Sequence, residues 1–204
     1  MKWVRYLYDW VLKWSDSKYG VTALVCMAFA EASFFPIPPD VLLIALALGA
    51  RSRAMQFGFL CSAGSIAGAI FGYSIGQFLW WNGGGGFSEL AQFFFNIIPG
   101  FTQDIFYSIQ IKYEVWNFWI IFTAGFTPIP FKIFTITAGA FDINFPMFLI
   151  ASTISRSARF LLISCLIWKY GESIRGFIDR YFNKLAILFT VLLLGGFLLV
   201  KYLI

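Results

Sequence analysis

Charged residues fall in a few short runs, and long apolar segments separate them. Ala54 to Trp81 and Phe145 to Tyr170 are the longest of these segments, and Leu185 to Val200 is an uninterrupted apolar span between Lys184 and Lys201. A helix needs about 20 mostly apolar residues to cross a bilayer. Other apolar segments are too short or are broken by proline. The pattern predicts an all-α polytopic membrane protein with about three full transmembrane helices and several half-length helices.

The short apolar segments contain two Pro-Ile-Pro breaks, which lie 92 residues apart. The run PIPPDVLLIALALGA aligns with PIPFKIFTITAGAFD, and Asp40 of the first copy corresponds to Lys132 of the second. An α-helix does not continue unbroken through proline. We therefore predict two helical hairpins, at about residues 20–50 and 115–141. Their breaks are formed by Pro36, Pro38, Pro39, Pro128 and Pro130.

These half-length helices favour re-entrant hairpins over complete crossings. Gly20 to Phe35 would span only ~24 Å as a helix, whereas the hydrocarbon core is ~30 Å thick. Irregular backbone at membrane depth is tolerated only where it is buried in protein or lines a wet cavity. One full crossing separates the hairpins, so we expect them to have opposite orientations. Inverted repeats with broken helices are a transporter architecture.

Composition and charge support membrane insertion. The chain is 60% hydrophobic and 12% charged, whereas soluble domains are about 25% charged. The net charge of +5 is better explained by the positive-inside rule than by nucleic-acid binding. With the N-terminus in the cytoplasm, ten cations lie inside and two outside. The three cysteines have no paired spacing and there is no histidine, so we expect no metal site and no cofactor.

Three regions follow from this organisation. Residues 1–19 have cations and aromatic residues at helical spacing, which is typical of an amphipathic helix in the membrane interface. Residues 20–170 form the predicted membrane domain, and residues 171–204 form a connector and a C-terminal transmembrane helix. Within the domain, Phe87 to Tyr113 is predicted to be an interfacial helix and loop.

Small residues mark a packing face on the first long span. Four glycines recur at every fourth position, so they lie on one side of a helix, where another helix can approach closely. The partner is either another part of the same chain or a second copy in a homo-oligomer. These glycines are Gly64, Gly68, Gly72 and Gly76.

Five ionisable residues are expected at membrane depth. Each costs roughly 2.5–3.5 kcal/mol at the centre of a bilayer, so they must pair, become neutral or face water. Carboxyl groups in an apolar setting suit proton or cation coupling, because desolvation disfavours their charged form. Guanidinium groups bind phosphate oxygens bidentately. The acidic candidates are Glu31 and Asp40, and the anion-binding candidates are Lys132, Arg156 and Arg159.

A purely structural arrangement of the same charges is the alternative. In it, Asp40 pairs with Lys132 across the repeat and Glu31 pairs with an arginine. Buried ion pairs are poor sources of stability, so five such groups favour a polar site with a task.

Three runs resemble the DedA family, also called the VTT or SNARE-associated family, and its YqaA-like branch most closely. These runs are FxE followed by FPIPPD, GFTPIPFK and STISRSARF, and the resemblance covers roughly residues 20–170. It implies a bacterial inner-membrane protein with two opposed re-entrant hairpins. Family members are implicated in proton-dependent envelope homeostasis and in moving polyprenyl-phosphate or phospholipid head groups across the bilayer.

The resemblance also assigns residues. The two membrane acids of the family match Glu31 and Asp40. Its two essential arginines do not match, because Gly125 and Phe131 occupy those places. Lys132, one position away, or the two arginines of the next helix are the residues that could replace them.

Three classes of function remain at this stage. A transporter or flippase would handle a phosphorylated lipid or a small ion, and protons could drive it. A membrane scaffold or assembly factor would use the same charges only as structural ion pairs. An intramembrane enzyme is disfavoured, because without histidine the usual Ser–His and Cys–His sites are missing. Membrane lipids are the expected partners.

Overall fold

A computed structural model describes residues 19–34, 38–82, 84–97, 102–127 and 129–171. Nearly all of the predicted N-terminal interfacial helix (residues 1–19) and of the C-terminal region (residues 171–204) lies outside the described residues. So do Pro36 and Pro128, whereas the other proline positions of the two breaks lie within them.

The described chain is helical apart from short connections and one isolated bridge between Trp81 and Phe87. This confirms the all-α prediction for the described part. The helices are α1 Gly20–Ser33, α2 Asp40–Gly49, α3 Ala54–Trp80, α4 Glu89–Ile97, α5 Gln103–Phe126, α6 Phe131–Ala140 and α7 Phe145–Gly171. A 3-10 turn, Arg51–Arg53, leads into α3.

Among the residues that the structure describes, two helices are long and apolar enough to cross a membrane. These are Arg51–Trp80, which includes the turn before α3, and Phe145–Gly171. Both agree with the segments predicted from hydropathy. Asn144 caps α7, since its Oδ1 accepts a hydrogen bond from the Met147 amide at 3.0 Å.

Prolines stand where the half-length helices begin. Pro39 immediately precedes α2 and Pro130 immediately precedes α6, at positions where a helix needs no amide donor. The preceding helices end at Ser33 and Phe126. Each predicted break therefore separates two helices, as the proline spacing indicated.

The segment before the second break differs from the prediction. Instead of a half-length helix from Val115, α5 begins at Gln103, and Thr102 Oγ1 accepts a hydrogen bond from the Ile105 amide at 3.3 Å. Tyr113 is buried while its charged neighbours are exposed. Because those charges lie on the outer side of the helix, they did not mark its end.

The two long helices run antiparallel. Gly58 of α3 contacts Ser164 of α7, and near the other end of α3 the ring of Tyr73 lies 5.0 Å from that of Phe148. Residue numbers therefore rise along one helix as they fall along the other. The two helices also occupy equivalent places in the 92-residue repeat.

The glycine stripe on α3 holds one helix from each hairpin. A Cβ at Gly64 would lie 2.7 Å from the Val25 carbonyl oxygen, and one at Gly68 would overlap the Phe29 carbonyl. These two glycines therefore face α1. Towards the other end, a Cβ at Gly76 would overlap the Ile136 carbonyl of α6.

Gly72 lies between these two contacts and touches both helices. A Cβ there would overlap the Thr135 hydroxyl of α6 and would lie 3.1 Å from the Ala32 carbonyl oxygen of α1. The stripe is thus covered by parts of the same chain.

The hairpins open towards opposite ends of α3, and their tips meet near its middle. The chain leaves α2 directly into the start of α3, whereas it leaves α6 near the far end of α3, where the Tyr73 hydroxyl donates to the Ile143 carbonyl at 2.7 Å. At the tips, the Thr135 hydroxyl donates to the Ala32 carbonyl at 2.9 Å.

Each hairpin has its own apolar cluster. The first cluster is built around Leu24, Leu43, Phe57 and Phe160, and the second around Phe106, Phe131, Phe141 and Phe148. The candidate site lies where these two clusters adjoin.

Candidate functional site

The five candidate charges lie on four helices, which are α1, α2, α6 and α7. Glu31 is in the last turn of α1, and Asp40 is the first residue of α2. Arg156 and Arg159 are three residues apart on α7, so their side chains leave the same face of that helix. Both acids flank the first break, and both arginines come from the second repeat.

Glu31 and Arg156 form the more buried of two ion pairs, which we call the inner pair. Arg156 Nη2 donates to Glu31 Oε2, and the side chains are 2% and 13% exposed. Arg156 Nε donates to the Ser65 hydroxyl at 2.7 Å, which connects the pair to α3. One guanidinium group therefore joins α1, α3 and α7.

Aromatic rings enclose the Arg156 guanidinium. Its Cζ lies 5.0 Å from the ring centre of Phe131 and 4.6 Å from that of Phe160. These rings belong to different apolar clusters, so the arginine lies at the boundary between the two hairpins. A cation over an aromatic face is stabilised electrostatically, and more strongly when it is desolvated. This environment fixes the position of Arg156.

Asp40 and Arg159 form the second pair, which we call the outer pair. Arg159 Nε lies 3.0 Å from Asp40 Oδ1, and Nη2 lies 2.9 Å from Oδ2, so both carboxylate oxygens are engaged. Arg159 Nη1 donates to the Thr127 carbonyl at the second break. The side chains of Arg159 and Asp40 are 13% and 18% exposed. This pair connects α2 with α7 and with the tip of the other hairpin.

Lys132 does not pair with Asp40, which corrects the structural alternative considered from the sequence. Its Nζ lies 3.4 Å from the Phe34 carbonyl oxygen, just after α1. Asp40 is instead bound through both of its oxygens by Arg159. The other half of that alternative is confirmed, since Glu31 pairs with an arginine.

Three further residues complete the site and were not identified from the sequence. Ser65, Phe131 and Phe160 contact Arg156. The sequence marks Phe131 only as the residue at one of the family's arginine positions, and it gives no signal for Ser65. Phe160 does close the STISRSARF run. Only the pairing of α3 with α7 shows that Ser65 reaches the arginine.

The chemistry available to this cluster follows from its charges. Two carboxylates and three cations give a sum of +1 when all are charged. An uptake of one proton by either acid would raise the sum to +2. Such a cluster can exchange protons with water and can attract an anion, and its guanidinium groups favour oxyanions that accept two parallel hydrogen bonds.

Two bacterial proteins match most of the chain. A protein of Haemophilus influenzae, described as an uncharacterized protein, is 35% identical over 173 residues, which cover 84% of this chain and 84% of that protein. A protein of Histophilus somni, described as an uncharacterized protein HI0703 homolog, is 33% identical over 171 residues, covering 81% and 82%. No family model and no solved structure matches. The chain belongs to the same family as these two proteins.

Proposed function

We propose that the protein is a bacterial inner-membrane carrier that moves a phosphorylated lipid, such as a polyprenyl phosphate or a phospholipid, across the bilayer. A small ion is the alternative cargo, and protons or small cations are the proposed coupling partners. The observation that carries the proposal is the meeting of two acids and two arginines at the tips of two opposed helical hairpins. No enzymatic step is part of it.

The proposed membrane topology combines the antiparallel directions of α3 and α7 with the cation count of the sequence, which gives the orientation. In it, α3 and α7 cross the bilayer in opposite directions, the N-terminus is cytoplasmic, and the two hairpins are re-entrant. Support comes from the length of the two apolar helices and from the position of the hairpin tips beside the middle of α3. Broken helices near the midplane are where transporters bind substrate and coupling ions.

The free-energy cost of placing charges within a membrane supports a functional role for these residues. Each charge at the centre of a bilayer costs roughly 2.5–3.5 kcal/mol, and a buried ion pair adds little stability compared with apolar packing. A chain that needed only to hold α2 and α7 together could do so with apolar residues. The outer pair, whose side chains are 13% and 18% exposed, is therefore better explained by a task than by stability.

We also propose that the family is a branch of the DedA family. The support is the three runs around Glu31 and Asp40, around Lys132, and around Arg156 and Arg159. In this proposal the two arginines of α7 take the place of the essential arginines that the DedA pattern has near the second break. Their position beside that break supports it, because Arg159 reaches the Thr127 carbonyl.

Transport in liposomes tests the function. Purified protein would be reconstituted, and the transbilayer movement of a labelled polyprenyl phosphate and of labelled phospholipids would be followed with and without a pH gradient. Asp40→Asn and Arg159→Gln should abolish the movement while the protein stays folded. Ser62→Ala is the matched control, because that hydroxyl bonds only to the Gly58 carbonyl of its own helix, at 2.8 Å. If no lipid and no proton moved, the carrier proposal would be refuted.

The second candidate function is a membrane scaffold or assembly factor. It is favoured by one observation: both acids are already paired with arginines, and Arg156 is almost completely buried. If the protein is a scaffold, neutralising either pair should lower the amount of folded protein. Neither the parent nor the variants should then move lipid in liposomes. Measuring abundance beside transport for the same variants separates the two functions.

A further inference from the structure

The two arginines of α7 are held in different ways. Arg156 is stacked between two rings and bonded to Ser65, whereas in the described part of the chain no ring stacks on Arg159. Arg159 is held by oxygen atoms alone, namely both carboxylate oxygens of Asp40 and the Thr127 carbonyl. It is also the more exposed of the two. Arg159 is therefore the arginine that can change partners without leaving an aromatic pocket.

Asp40 binds Arg159 in the geometry that a phosphate would use. Two parallel N–H···O bonds, at 3.0 and 2.9 Å, join the guanidinium edge to the carboxylate. A phosphate group presents two oxygens to the same edge in the same way. A bound oxyanion and the charged form of Asp40 would occupy the same two donors, so both cannot be bound there at once.

We propose that Asp40 is a built-in competitor for an oxyanion site on Arg159, and that uptake of one proton by Asp40 opens this site. This deepens the carrier proposal and rests on it for the identity of the lipid cargo. The proton is added to one oxygen of Asp40 from water. The neutral acid keeps at most one hydrogen bond to the guanidinium, and the phosphate oxygens take its place on Nε and Nη2.

The charges around Asp40 favour this exchange. Neutral Asp40 leaves one negative charge, from Glu31, against three positive charges, so the sum rises from +1 to +2. Glu31 and Ser65 still hold Arg156 when Asp40 is neutral, so Arg159 is the arginine that loses its carboxylate partner. The thiol of Cys61 lies among the same charges and is buried. The groups around Asp40 are thus Arg159 and Arg156 of α7, Glu31 of α1, Cys61 of α3 and, at the adjoining hairpin tip, Lys132 of α6.

Equilibrium binding tests the competition without any transport. The full-length protein in nanodiscs of neutral lipid would be titrated with inorganic phosphate and, separately, with a short-chain polyprenyl phosphate. Asp40→Asn should bind the anion about tenfold more tightly than the parent at neutral pH, since one charged competitor is removed. The affinity of the parent should rise as the pH falls, whereas that of Asp40→Asn should follow only the titration of the phosphate itself.

Three further variants make the result specific. Arg159→Lys keeps the charge but loses the pair of parallel N–H donors. It should therefore weaken anion binding in both the parent and the Asp40→Asn background. Asp40→Glu keeps a carboxylate and should retain the pH dependence. Glu31→Gln, which alters the inner pair, should not raise the affinity. Thermal unfolding of each variant would show that it is folded.

Two results would overturn the competition. One is an Asp40→Asn variant that is folded and binds the anion no more tightly than the parent. The other is a parent whose pH dependence equals that of Asp40→Asn. If liposome transport occurs but Asp40→Asn gains no affinity, this inference alone fails. If the affinity shifts as expected but no lipid moves in liposomes, the competition stands and the carrier function fails. Binding of the lipid but not of inorganic phosphate would show that the acyl or prenyl chain contributes.

Discussion

The inner and outer ion pairs have the same chemistry and different surroundings. Each joins a carboxylate of the first hairpin to an arginine of α7. The inner arginine is enclosed by Phe131, Phe160 and Ser65, whereas the partners of the outer one within the described residues are the oxygen atoms of Asp40 and Thr127. Arg156 and Arg159 are only three residues apart on α7. The Arg156 guanidinium nevertheless lies at the boundary of the two apolar clusters, whereas the Arg159 guanidinium lies beside the second hairpin break.

This difference shows that pairing alone does not define the role of a buried charge. Enclosure raises the cost of separating a pair, because neither partner can be solvated afterwards. Partial exposure lowers that cost, since water or another anion can replace the lost partner. We therefore expect the inner pair to determine stability and the outer pair to determine binding. The predictions below test this division in order of decreasing effect.

The largest expected effect is the loss of the inner arginine. Arg156→Leu leaves Glu31 without its partner in a nearly dry site, and breaking such a pair costs about 3–5 kcal/mol. Arg159→Leu should cost less, because the outer arginine is more exposed than the inner one and no described ring stacks on it. The free energy of unfolding in detergent, or the thermal midpoint, measures both. Equal losses for the two variants would remove the distinction between the pairs.

A smaller effect is expected where α1 packs on α3. Gly68→Ala places a methyl group against the Phe29 carbonyl, and such overpacking costs about 1–3 kcal/mol. Because α1 also carries Glu31, the same change should disturb the inner pair more than the outer one. Gly49→Ala is the matched control, since nothing lies within 4 Å of its added Cβ. Equal unfolding temperatures for the two variants would contradict the close packing of α1 on α3.

Removal of the Ser65 hydroxyl should have an effect of about the same size as Gly68→Ala. Ser65→Ala deletes the hydrogen bond to Arg156 Nε, and a bond to a charged group is worth about 1.5–3 kcal/mol. Ser62→Ala, on the same helix, deletes only a bond to its own helix backbone and should be nearly neutral. A double-mutant cycle with Arg156→Leu should give a coupling energy for Ser65 and almost none for Ser62.

Neutralisation of Lys132 should affect stability least. Its single described contact is a 3.4 Å approach to the Phe34 carbonyl, so Lys132→Gln should change the unfolding free energy by roughly 0–1 kcal/mol. The same variant should weaken anion binding if the cation contributes to the charge of the site. A large loss of stability would instead assign Lys132 to the structural group, together with Arg156.

Several features of the fold could be predicted because they depend on local rules. Proline positions located the starts of α2 and α6, and hydropathy located α3 and α7. The extent of α5 was missed, because charges such as Lys112 lie on its outer side and interrupt the apolar pattern. Helix ends without proline or glycine leave no comparable signal.

The candidate site was predictable in its members and not in its pairing. Polar residues in apolar segments identified Glu31, Asp40, Lys132, Arg156 and Arg159, since each must be compensated wherever it lies. The partner of Asp40 was wrong, because the repeat suggested Lys132 and the structure places Arg159 there. Symmetry of a repeat relates positions, whereas pairing depends on which side chain reaches across the gap.

The sequence alone thus determined the helical class, the two long apolar helices, the two breaks and the set of buried charges. Each of these follows from residue type and spacing, which act within a few residues along the chain. Only the tertiary structure decided that the glycine stripe packs against α1 and α6. It also decided that Arg156 is enclosed by aromatic rings, whereas Arg159 is more exposed. The reason is distance along the chain: Glu31 and Arg156 are 125 residues apart, and no local preference relates them.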